Sequence, residues 1–279
     1  MSRPKQFVLQ LPVLRFPIIA AVFAAGLYSA QSGAHSQFLV PSSTVLSKAQ
    51  YVTFDAAVGN EMFYYNHNAL RLENLAITAP DGSSVQPENL MAGKLRSVFD
   101  ANLTQNGTYR VANSFSGITA RYKDKTGAQK GWRGTAANFE KEVPADATDL
   151  RLTESATSLE TFVTVGKPSA LKATGVGLEF VPATHPNDLY SGEKVTFAFQ
   201  LDGKPAADIE VEFVPGGGRY RDKVGDFTVK TDAKGQVTLT FAQPGMYRME
   251  ATAKDDKTSL KQIKERRLVY AAVLEVLAQ

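Results

Sequence analysis

Cysteine is absent from the sequence, which excludes disulfides, thiolate metal sites and cysteine nucleophiles. Two signatures of catalysis are missing as well: no Gly-x-Ser-x-Gly run provides a nucleophile elbow, and no His-Glu-x-x-His run provides a zinc-binding helix. The glycine-rich residues 215–219 have no following Gly-Lys-Ser or Gly-Lys-Thr, so they indicate a turn and not a phosphate-binding loop. The sequence therefore predicts a protein that is not an enzyme.

An excess of charge is also absent once the first residues are set aside. The chain carries 31 basic and 28 acidic side chains, a formal net charge of +3. Arg3, Lys5 and Arg15 supply that whole excess, so the chain from residue 35 onward is neutral. A neutral protein offers no electrostatic attraction for nucleic acid or for an anionic membrane. We therefore expect no nucleic-acid partner.

The apolar run at residues 16–28 is too short for a membrane-spanning helix, which needs about 20 apolar residues. Basic residues precede this run and small residues follow it up to Ala34, a pattern typical of a secretory signal peptide. Arg15 interrupts any longer run, which favours a cleaved signal over an uncleaved anchor. Residues 1–34 are thus predicted to be removed near Ala34, leaving a periplasmic protein with no stable membrane insertion.

Strand patterns fill the rest of the sequence. Apolar residues alternate at period two in residues 51–58, 94–103 and 194–201, as in strands with one buried face. Short helical turns are predicted only at residues 87–93 and 136–142. Strands separated by Gly, Pro and Asp turns at such short spacing favour an all-β sandwich or barrel over a βαβ fold. The other predicted strands are residues 75–78, 107–112, 118–122, 150–154, 160–165, 177–181, 209–214, 226–231, 236–241, 246–253 and 267–277.

Two β domains are expected. A Gly-Lys-Pro-Ser run at residues 166–169 is typical of a linker, and it separates an N-terminal β-sandwich domain (35–168) from a C-terminal β domain (169–279). The pattern Gln-x-Gly-x-Tyr-Arg occurs at residues 105–110 and again at 243–248. A buried tyrosine after such a turn braces a corner in immunoglobulin-like sandwiches. The repetition favours a common architecture for the two halves.

Histidine is scarce, and all three histidines are candidate metal ligands: His35, His67 and His185. The first follows the predicted cleavage site, the second ends an aromatic-rich loop, and the third lies in a segment with prolines on both sides. Neutral imidazoles on rigid loops of a β scaffold can bind a metal ion. Candidates for orienting an imidazole are Asp55, Asn187 and Asp188.

The position of cleavage decides the chemistry of His35. Cleavage after Ala34 leaves His35 first, and its α-amine and Nδ1 then form a bidentate chelate to which His67 and His185 can add imidazoles. Cleavage after Ser32 instead leaves Gly33-Ala34-His35, which can bind Cu(II) or Ni(II) in a square plane through the amine, two amides and the imidazole. Both arrangements favour late first-row metals over magnesium or calcium.

Four segments carry a family resemblance: residues 35–41, 63–67, 184–188 and 215–222. They resemble a bacterial family of exported domains of unknown function that is grouped with the periplasmic component of cobalt/nickel ABC-type uptake systems. The resemblance runs over nearly the whole mature chain. It implies an all-β N-terminal domain and an immunoglobulin- or transthyretin-like C-terminal domain. It also implies divalent-metal handling outside the inner membrane, a membrane transport component as partner, and metal-site histidines at His35, His67 and His185.

Three functions remain open on this basis. The first is a soluble periplasmic carrier or accessory for nickel, cobalt or copper that uses the three histidines. The second is a non-enzymatic β-sandwich module that displays a surface or a strand edge to a partner, for which the aromatic residues 63–65 are suited. The third is a copper redox enzyme in which His35 forms a histidine brace. Only the first two agree with the prediction that the protein is not an enzyme.

Overall fold

A computed structural model describes residues 35–279, and the predicted signal peptide, residues 1–34, lies outside the described residues. The described part is all-β apart from one short α-helix, α1 (Ala136–Glu142), and one turn of 3₁₀ helix (Gly218–Tyr220). Its strands are β1 (Ser36–Pro41), β2 (Val45–Leu46), β3 (Gln50–Gly59), β4 (Asn68–Ala69), β5 (Leu75–Thr78), β6 (Ser84–Val85), β7 (Glu88–Ala92), β8 (Ser97–Leu103), β9 (Gly107–Lys123), β10 (Gln129–Gly134), β11 (Thr148–Val165), β12 (Leu178–Phe180), β13 (Lys194–Leu201), β14 (Lys204–Pro205), β15 (Glu210–Pro215), β16 (Phe227–Lys230), β17 (Gln236–Thr240), β18 (Gly245–Asp255) and β19 (Arg266–Val276).

The strands of the described chain form three sheets. The first sheet has the order β1-β3-β8-β7, and β4 also pairs with β3. The second sheet has ten strands in the order β16-β15-β18-β19-β11-β9-β5-β6, with β2 paired to β11 and β10 paired to β9. The third sheet has the order β12-β13-β14, with β17 paired to β13. The second sheet therefore contains strands from both halves of the sequence.

Period-two alternation accounts for the strands that were predicted most directly. In β8 the side chains of Ser97, Phe99, Ala101 and Leu103 are buried, and the residues between them are partly exposed. The same alternation holds in β3 and along most of β13. Because successive side chains of a strand point to opposite faces, the apolar set of each strand defines its buried face. The predicted strands at 51–58, 94–103 and 194–201 are confirmed to within a few residues.

Two hydrophobic cores lie on opposite faces of the ten-stranded sheet. The first core fills the space between this sheet and the first sheet, and the second core lies between it and the third sheet. Along β11, Leu159 and Val163 belong to the first core, whereas Phe162 belongs to the second. Along β19, Ala271 belongs to the first core and Tyr270 to the second. Strands β11 and β19 thus form a wall that both cores share.

The two halves of the sequence are joined by backbone hydrogen bonds in this wall. Strands β11 and β19 pair in parallel, from Glu154 opposite Arg266 to Thr161 opposite Val273. On its other side β19 pairs antiparallel with β18. One sheet therefore continues across the expected boundary at residue 168. The division into two domains, and the immunoglobulin- or transthyretin-like character of the second, stay predictions.

A buried carboxyl group lies in the same wall, on the face of the second core. The Tyr270 hydroxyl donates a hydrogen bond of 2.8 Å to Glu160, and Arg110 Nε lies 3.5 Å from the same carboxyl. Burial raises the pKa of Glu160, and the nearby Arg110 guanidinium opposes that rise. Burial together with the Glu160 charge raises the pKa of Tyr270 well above its usual range. Glu160 therefore links β11 to both of the strands that flank it.

One of the two predicted helical turns is confirmed and the other is wrong. Residues 136–142 form α1, which buries Phe139. Residues 87–93 instead contain the edge strand β7, which pairs with β8. Every side chain of β7 is exposed, so this strand has no buried face that would leave a period-two pattern in the sequence. Among residues 35–279 no helix has both the length and the apolar composition needed to cross a membrane.

The repeated Gln-x-Gly-x-Tyr-Arg pattern has the same structural role in both halves. The buried Tyr109 hydroxyl accepts a hydrogen bond of 2.6 Å from the backbone N–H of Gln105. The buried Tyr247 hydroxyl donates one of 2.9 Å to the carbonyl oxygen of Gln243. In each case a tyrosine braces the turn four residues before it, where β9 or β18 begins. The two hydroxyls contact different backbone groups, the N–H of Gln105 and the carbonyl oxygen of Gln243.

Candidate metal centre

Two of the three predicted histidine ligands meet beyond one end of β3. Strand β1 pairs with one side of β3 and β4 with the other, since Val58 lies opposite both Gln37 and Asn68. His35 immediately precedes β1, and His67 immediately precedes β4. Neighbouring strands are about 4.8 Å apart, so strands on either side of β3 are roughly 10 Å apart. The two side chains reach toward each other across this gap.

The rings of His35 and His67 stack on each other. Their centroids are 3.6 Å apart and their planes are 13° from parallel. Two nitrogens bound to one ion at about 2.0–2.1 Å lie at most roughly 4 Å apart, a separation that two rings this close can reach only by changing orientation. An ion lies in the plane of each imidazole that binds it, so the rings must splay apart to share one. His35 is exposed and His67 is half-buried, and the exposed ring is free to make that rotation.

Hydrogen bonds within residues 59–67, which we call the histidine loop, fix the position of His67. The backbone N–H of Asn60 donates to Asn66 Oδ1 at 2.8 Å, and Asn60 Nδ2 donates to the carbonyl oxygen of Asn66 at 3.2 Å. Within the loop, the N–H of Tyr64 donates to the carbonyl oxygen of Glu61 at 3.2 Å. These bonds close the loop on itself directly before His67. The sequence therefore presents this imidazole from a rigid segment.

The histidine loop also contains a strained residue that packing holds in place. Phe63 has a φ of 63°, which costs a non-glycine residue on the order of 1–3 kcal/mol. Its ring packs edge to face against buried Phe38, with centroids 5.5 Å apart. Phe38 follows His35 closely along β1. The same aromatic contact therefore ties the loop that carries His67 to the strand that follows His35.

A turn from the second half of the sequence holds the loop from outside. Arg219 Nε donates to Glu61 Oε2 at 3.2 Å, and the guanidinium lies 3.9 Å above the centroid of the Tyr64 ring. Each such exposed contact is worth roughly 1 kcal/mol or less. The sequence predicted a turn at residues 215–219 and a family resemblance over residues 215–222, but not this contact of Arg219. No local pattern indicates that residues so far apart in sequence meet.

Gly59, where the histidine loop leaves β3, has no room for a side chain. A Cβ at this position would lie 2.5 Å from the carbonyl oxygen of Tyr64 and 2.7 Å from that of Glu61. Both obstacles are backbone atoms, so the loop itself has to move. We expect Gly59→Ala to lower the free energy of unfolding by about 1–3 kcal/mol and to separate His67 from His35. Urea unfolding measures the first effect.

Gly131→Ala is the matched control for that substitution. Gly131 lies in β10, and a Cβ there would meet nothing within 4 Å. Its free energy of unfolding should change by no more than about 0.5 kcal/mol, as at other unconstrained surface positions. If the two variants proved equally stable, the packing argument at Gly59 would be contradicted.

His185 lies elsewhere and uses both ring nitrogens. Its Nδ1 accepts a hydrogen bond of 3.1 Å from the backbone N–H of Asn187, and its Nε2 lies 3.0 Å from Thr108 Oγ1. A neutral ring that accepts at Nδ1 carries its proton on Nε2 and donates it to the threonine. Burial lowers the pKa of His185, which favours this neutral form. The structure thus brings together two of the three predicted ligands.

In the described structure no carboxylate joins the histidine pair to complete a metal site. Residues 35–279 contain no group of three or more His, Cys, Asp and Glu side chains arranged to hold a metal ion. Asp55, predicted to orient an imidazole, instead pairs with Arg96 at 3.2 Å. The backbone N–H of Asn187 donates a hydrogen bond to His185, and the Asn187 side-chain amide donates one of 3.0 Å to the carbonyl oxygen of Phe162. The described residues thus supply the two imidazoles and no third His, Cys, Asp or Glu ligand.

A family profile described as "Domain of unknown function (DUF4198)" matches residues 32–255. The chain belongs to the DUF4198 family. The match to DUF4198 includes His35, His67 and His185 and ends with β18, so that β19 lies beyond it. No curated protein matches this DUF4198 chain.

Solved structures similar to the DUF4198 chain are distant. The D0-D1 domain of intimin is 14% identical with a TM-score of 0.23, over 86% of this chain and 97% of that one. The adhesin InvE of Yersinia pseudotuberculosis is 12% identical with a TM-score of 0.22, over 88% and 61%. Trypsin-activated alpha-2-macroglobulin from Escherichia coli is 13% identical with a TM-score of 0.23, over 88% and 16%. TM-scores this low carry no inference about the present chain.

Proposed function

We propose that this DUF4198 protein is a non-enzymatic periplasmic protein that binds a late first-row divalent ion (nickel, cobalt or copper) as a carrier or accessory in metal uptake. The observation that carries the proposal is the contact between the rings of His35 and His67, whose centroids are 3.6 Å apart. Export removes residues 1–34 in this proposal. The α-amine of His35 then becomes a third nitrogen beside the two imidazoles.

The donor set selects the class of metal. An N-terminal histidine binds through its amine and its ring as one chelate, and a second imidazole then fills another position of a nitrogen-rich site. Such sites suit Cu(II) and Ni(II), whereas magnesium and calcium prefer oxygen ligands. Affinities of divalent ions for nitrogen sites rise along the first row to copper. We therefore expect Cu(II) to bind most tightly and Ni(II) next.

Exposure of the site suits a carrier. His35 is exposed at the end of β1, so a partner can reach the ion and replace its ligands one at a time. The resemblance to a family grouped with the periplasmic component of cobalt/nickel uptake supports a membrane transport component as that partner. A structural metal would instead be enclosed by four protein ligands.

His185 stays outside the ligand set of this proposal. Its two nitrogens are engaged by Asn187 and Thr108, and releasing the ring would leave the backbone N–H of buried Asn187 without this partner. This arrangement explains the scarce third histidine as a structural residue that connects the segment after β12 to β9. It also makes His185 a suitable internal control.

Titration of the His67→Ala and His185→Ala variants tests the proposal. Both are prepared as chains that begin at His35, and Cu(II) and Ni(II) affinities are measured by competition with a chelator of known strength. Loss of His67 removes one of three nitrogens, so we expect affinity to fall by about 100-fold, the upper end of what loss of an outer partner costs at metal sites. The His185→Ala variant should keep its affinity within about twofold.

Two outcomes would contradict the proposal. One is equal affinity in the unsubstituted chain and in the His67→Ala variant, which would exclude the histidine pair as the site. The other is a chain that begins at His35 and takes up none of the three metals. Thermal unfolding of both variants in the absence of metal shows that a lost affinity does not come from a lost fold.

An interaction module is the second candidate, and one observation favours it. The edge strand β7 has only exposed side chains, among them Leu90 at 55% and Met91 at 63% exposure. An exposed apolar edge presents unpaired backbone groups to which another strand can add. This function predicts no stoichiometric metal and full tolerance of His→Ala changes at all three histidines, so the same titrations separate the two candidates.

A further inference from the structure

A groove of about 890 Å³ opens beside the first core, and its floor is the long antiparallel pair β9 and β11. Phe115 lies directly opposite Thr157 in this pair, and Asn113 and Ser155 lie two residues along the two strands. All four line the groove. They share the face of the sheet that carries the first core, because they are in phase with Val111 and Leu159 at period two. The groove therefore begins where the first sheet no longer covers this face.

The first sheet supplies one wall of the groove. Gln37, Val58 and Asn68 are opposite one another on β1, β3 and β4, and all three line the groove. Residues opposite one another in a sheet point to the same face, so these side chains form one row. The segment that follows β4 and Lys94 complete this side. The row sits one or two residues from His35 and His67, but neither histidine lines the groove.

The charge of the lining is unbalanced. The lining contains three cationic side chains, Arg71, Lys94 and Arg133, and one carboxylate, Glu73. None of the three cations forms an ion pair with any residue from 35 to 279. Arg96, by contrast, pairs with Asp55. The described part of the chain beyond residue 35 is neutral overall, so three unpaired cations around one groove are a local concentration of positive charge. Clefts with one sign of charge attract ligands of the opposite sign.

The remaining lining is rich in amides and hydroxyls, which can both donate and accept hydrogen bonds. Asn113 Nδ2 donates to the Arg71 carbonyl oxygen at 2.9 Å, while its buried Oδ1 has no partner among the described residues. An unsatisfied buried acceptor is uncommon in proteins and calls for an explanation. Because this oxygen is not exposed to the groove, a ligand hydroxyl can satisfy it only after the Asn113 side chain turns. The amide and hydroxyl side chains that line the groove besides Gln37 are Asn68, Asn74, Asn113, Ser155 and Thr157.

An aromatic ring lies among these polar groups. The Arg133 guanidinium is 4.9 Å from the centroid of the Phe115 ring. This contact holds one of the three cations over the floor and leaves its outer N–H groups available for a carboxylate. A lipid or an apolar peptide would leave the polar lining unpaired, so such ligands do not suit the groove.

We infer that this groove binds an acidic oligosaccharide, a chain of sugars that carry carboxylates. The carboxylates pair with Arg71, Lys94 and Arg133, and the sugar hydroxyls pair with the amide and hydroxyl side chains of the floor and wall. The volume lies within the range of roughly 300–1,000 Å³ that is usual for small-ligand sites, larger than a single small anion needs. The site is separate from the metal centre of the proposed function and stands without it.

Calorimetric titration of the metal-free chain, in low salt with EDTA present, tests the inference. The probe is trigalacturonic acid, and maltotriose is the uncharged sugar of the same length. We expect the acid to bind and maltotriose to bind at least tenfold more weakly, since hydrogen bonds to charged groups are about twice as strong as neutral ones. Added salt should weaken binding of the acid, because screening reduces attraction between exposed charges.

Variants that remove a positive charge and a variant that removes a negative charge are expected to change the affinity for trigalacturonic acid in opposite directions. Arg71→Gln and Arg133→Gln should each weaken binding of trigalacturonic acid about tenfold. Glu73→Gln removes the one repelling carboxylate and should tighten binding by roughly two- to fivefold. Arg121→Gln, on β9 but outside the groove, is the control and should leave affinity unchanged. All four residues are exposed, so these changes are compatible with the fold, and thermal unfolding confirms it for each variant.

Several results would overturn the inference. Absence of binding by both sugars excludes a saccharide site. Equal affinity for trigalacturonic acid and maltotriose would show that the three cationic side chains do not contribute to binding. Unchanged affinity in both Arg→Gln variants, or weaker binding in Glu73→Gln, places the acid elsewhere on the protein. None of these results bears on metal binding, because metal is absent throughout.

Discussion

A chain that begins at His35 with a free amine will bind Cu(II) at least about 100-fold more tightly than the same chain with a long N-terminal extension. The extension removes the amine as a ligand of the ion. Even groups that only contact metal ligands contribute about 10–100-fold to metal affinity. The physical reason is the chelate formed by the amine and ring of one residue. An extended chain keeps both imidazoles of the stacked pair but carries its amine far from them. His35→Ala in the unextended chain removes the imidazole of the chelate and should abolish tight binding.

Competition titration against a calibrated chelator measures this difference. The control is a chain that begins at His35 and carries the same extension at its C-terminus. Adding His67→Ala should weaken binding in the unextended chain. Equal affinity of the extended and unextended chains would show that the amine is not a ligand, and the proposed site would have to be abandoned.

A chain that begins at Gly33 gives a second, independent outcome. Its Gly33-Ala34-His35 terminus can bind Cu(II) or Ni(II) through four nitrogens of its own, so His67→Ala should leave its affinity unchanged. The visible spectrum of a square-planar complex distinguishes this site from one with two imidazoles. The intact mass of protein exported by a native-like host then shows which terminus the cell makes.

Phe197→Ala should lower the free energy of unfolding by about 3–5 kcal/mol, the usual cost of removing a buried phenylalanine side chain. Phe197 lies in β13 and is fully buried in the second core. Its ring contacts those of Phe180 and Phe213, at centroid distances of 5.1 and 6.3 Å. Such aromatic pairs add roughly 0.5–1.5 kcal/mol beyond buried area. A cavity in this cluster cannot be filled without moving several rings.

Urea unfolding followed by circular dichroism measures the effect. Phe197→Leu keeps much of the volume and should cost less than about 1.5 kcal/mol. Tyr220→Ala removes a ring that is 86% exposed and should cost less than about 0.5 kcal/mol. A loss in Phe197→Ala no larger than in Tyr220→Ala would mean that the aromatic cluster does not support the fold.

Strands with one buried face were predictable from sequence, and those with polar centres were not. The alternation in β3, β8 and β13 follows from burial of every second residue. Strands β9 and β11 were each predicted as two fragments because their middle parts, residues 113–117 and 155–158, are rich in serine, asparagine and glycine. Pairing of the two strands along their full lengths overrides these low strand propensities. The same polar middle parts form the floor of the groove, which sequence analysis missed.

The sequence predicted which residue type forms the candidate metal centre, but not which of the three histidines come together there. Scarcity singled out three histidines, and two of them meet because β1 and β4 both pair with β3. The contact of His185 with Thr108 depends on how the segment after β12 crosses to β9. Such long-range pairing leaves no local pattern. Hence neither the grouping of His35 with His67 nor the separate position of His185 follows from spacing alone.

The central position of β19 has a consequence for how the new chain folds. A chain that is synthesised from its N-terminus completes β11 long before residues 266–276 are made. Until then the side of β11 that later pairs with β19 is an open strand edge, able to pair with another chain. Pairing of residues this distant in sequence is also slow. The newly made protein therefore passes through an aggregation-prone interval that ends only when β19 is inserted, and a chaperone that shields the β11 edge would shorten it.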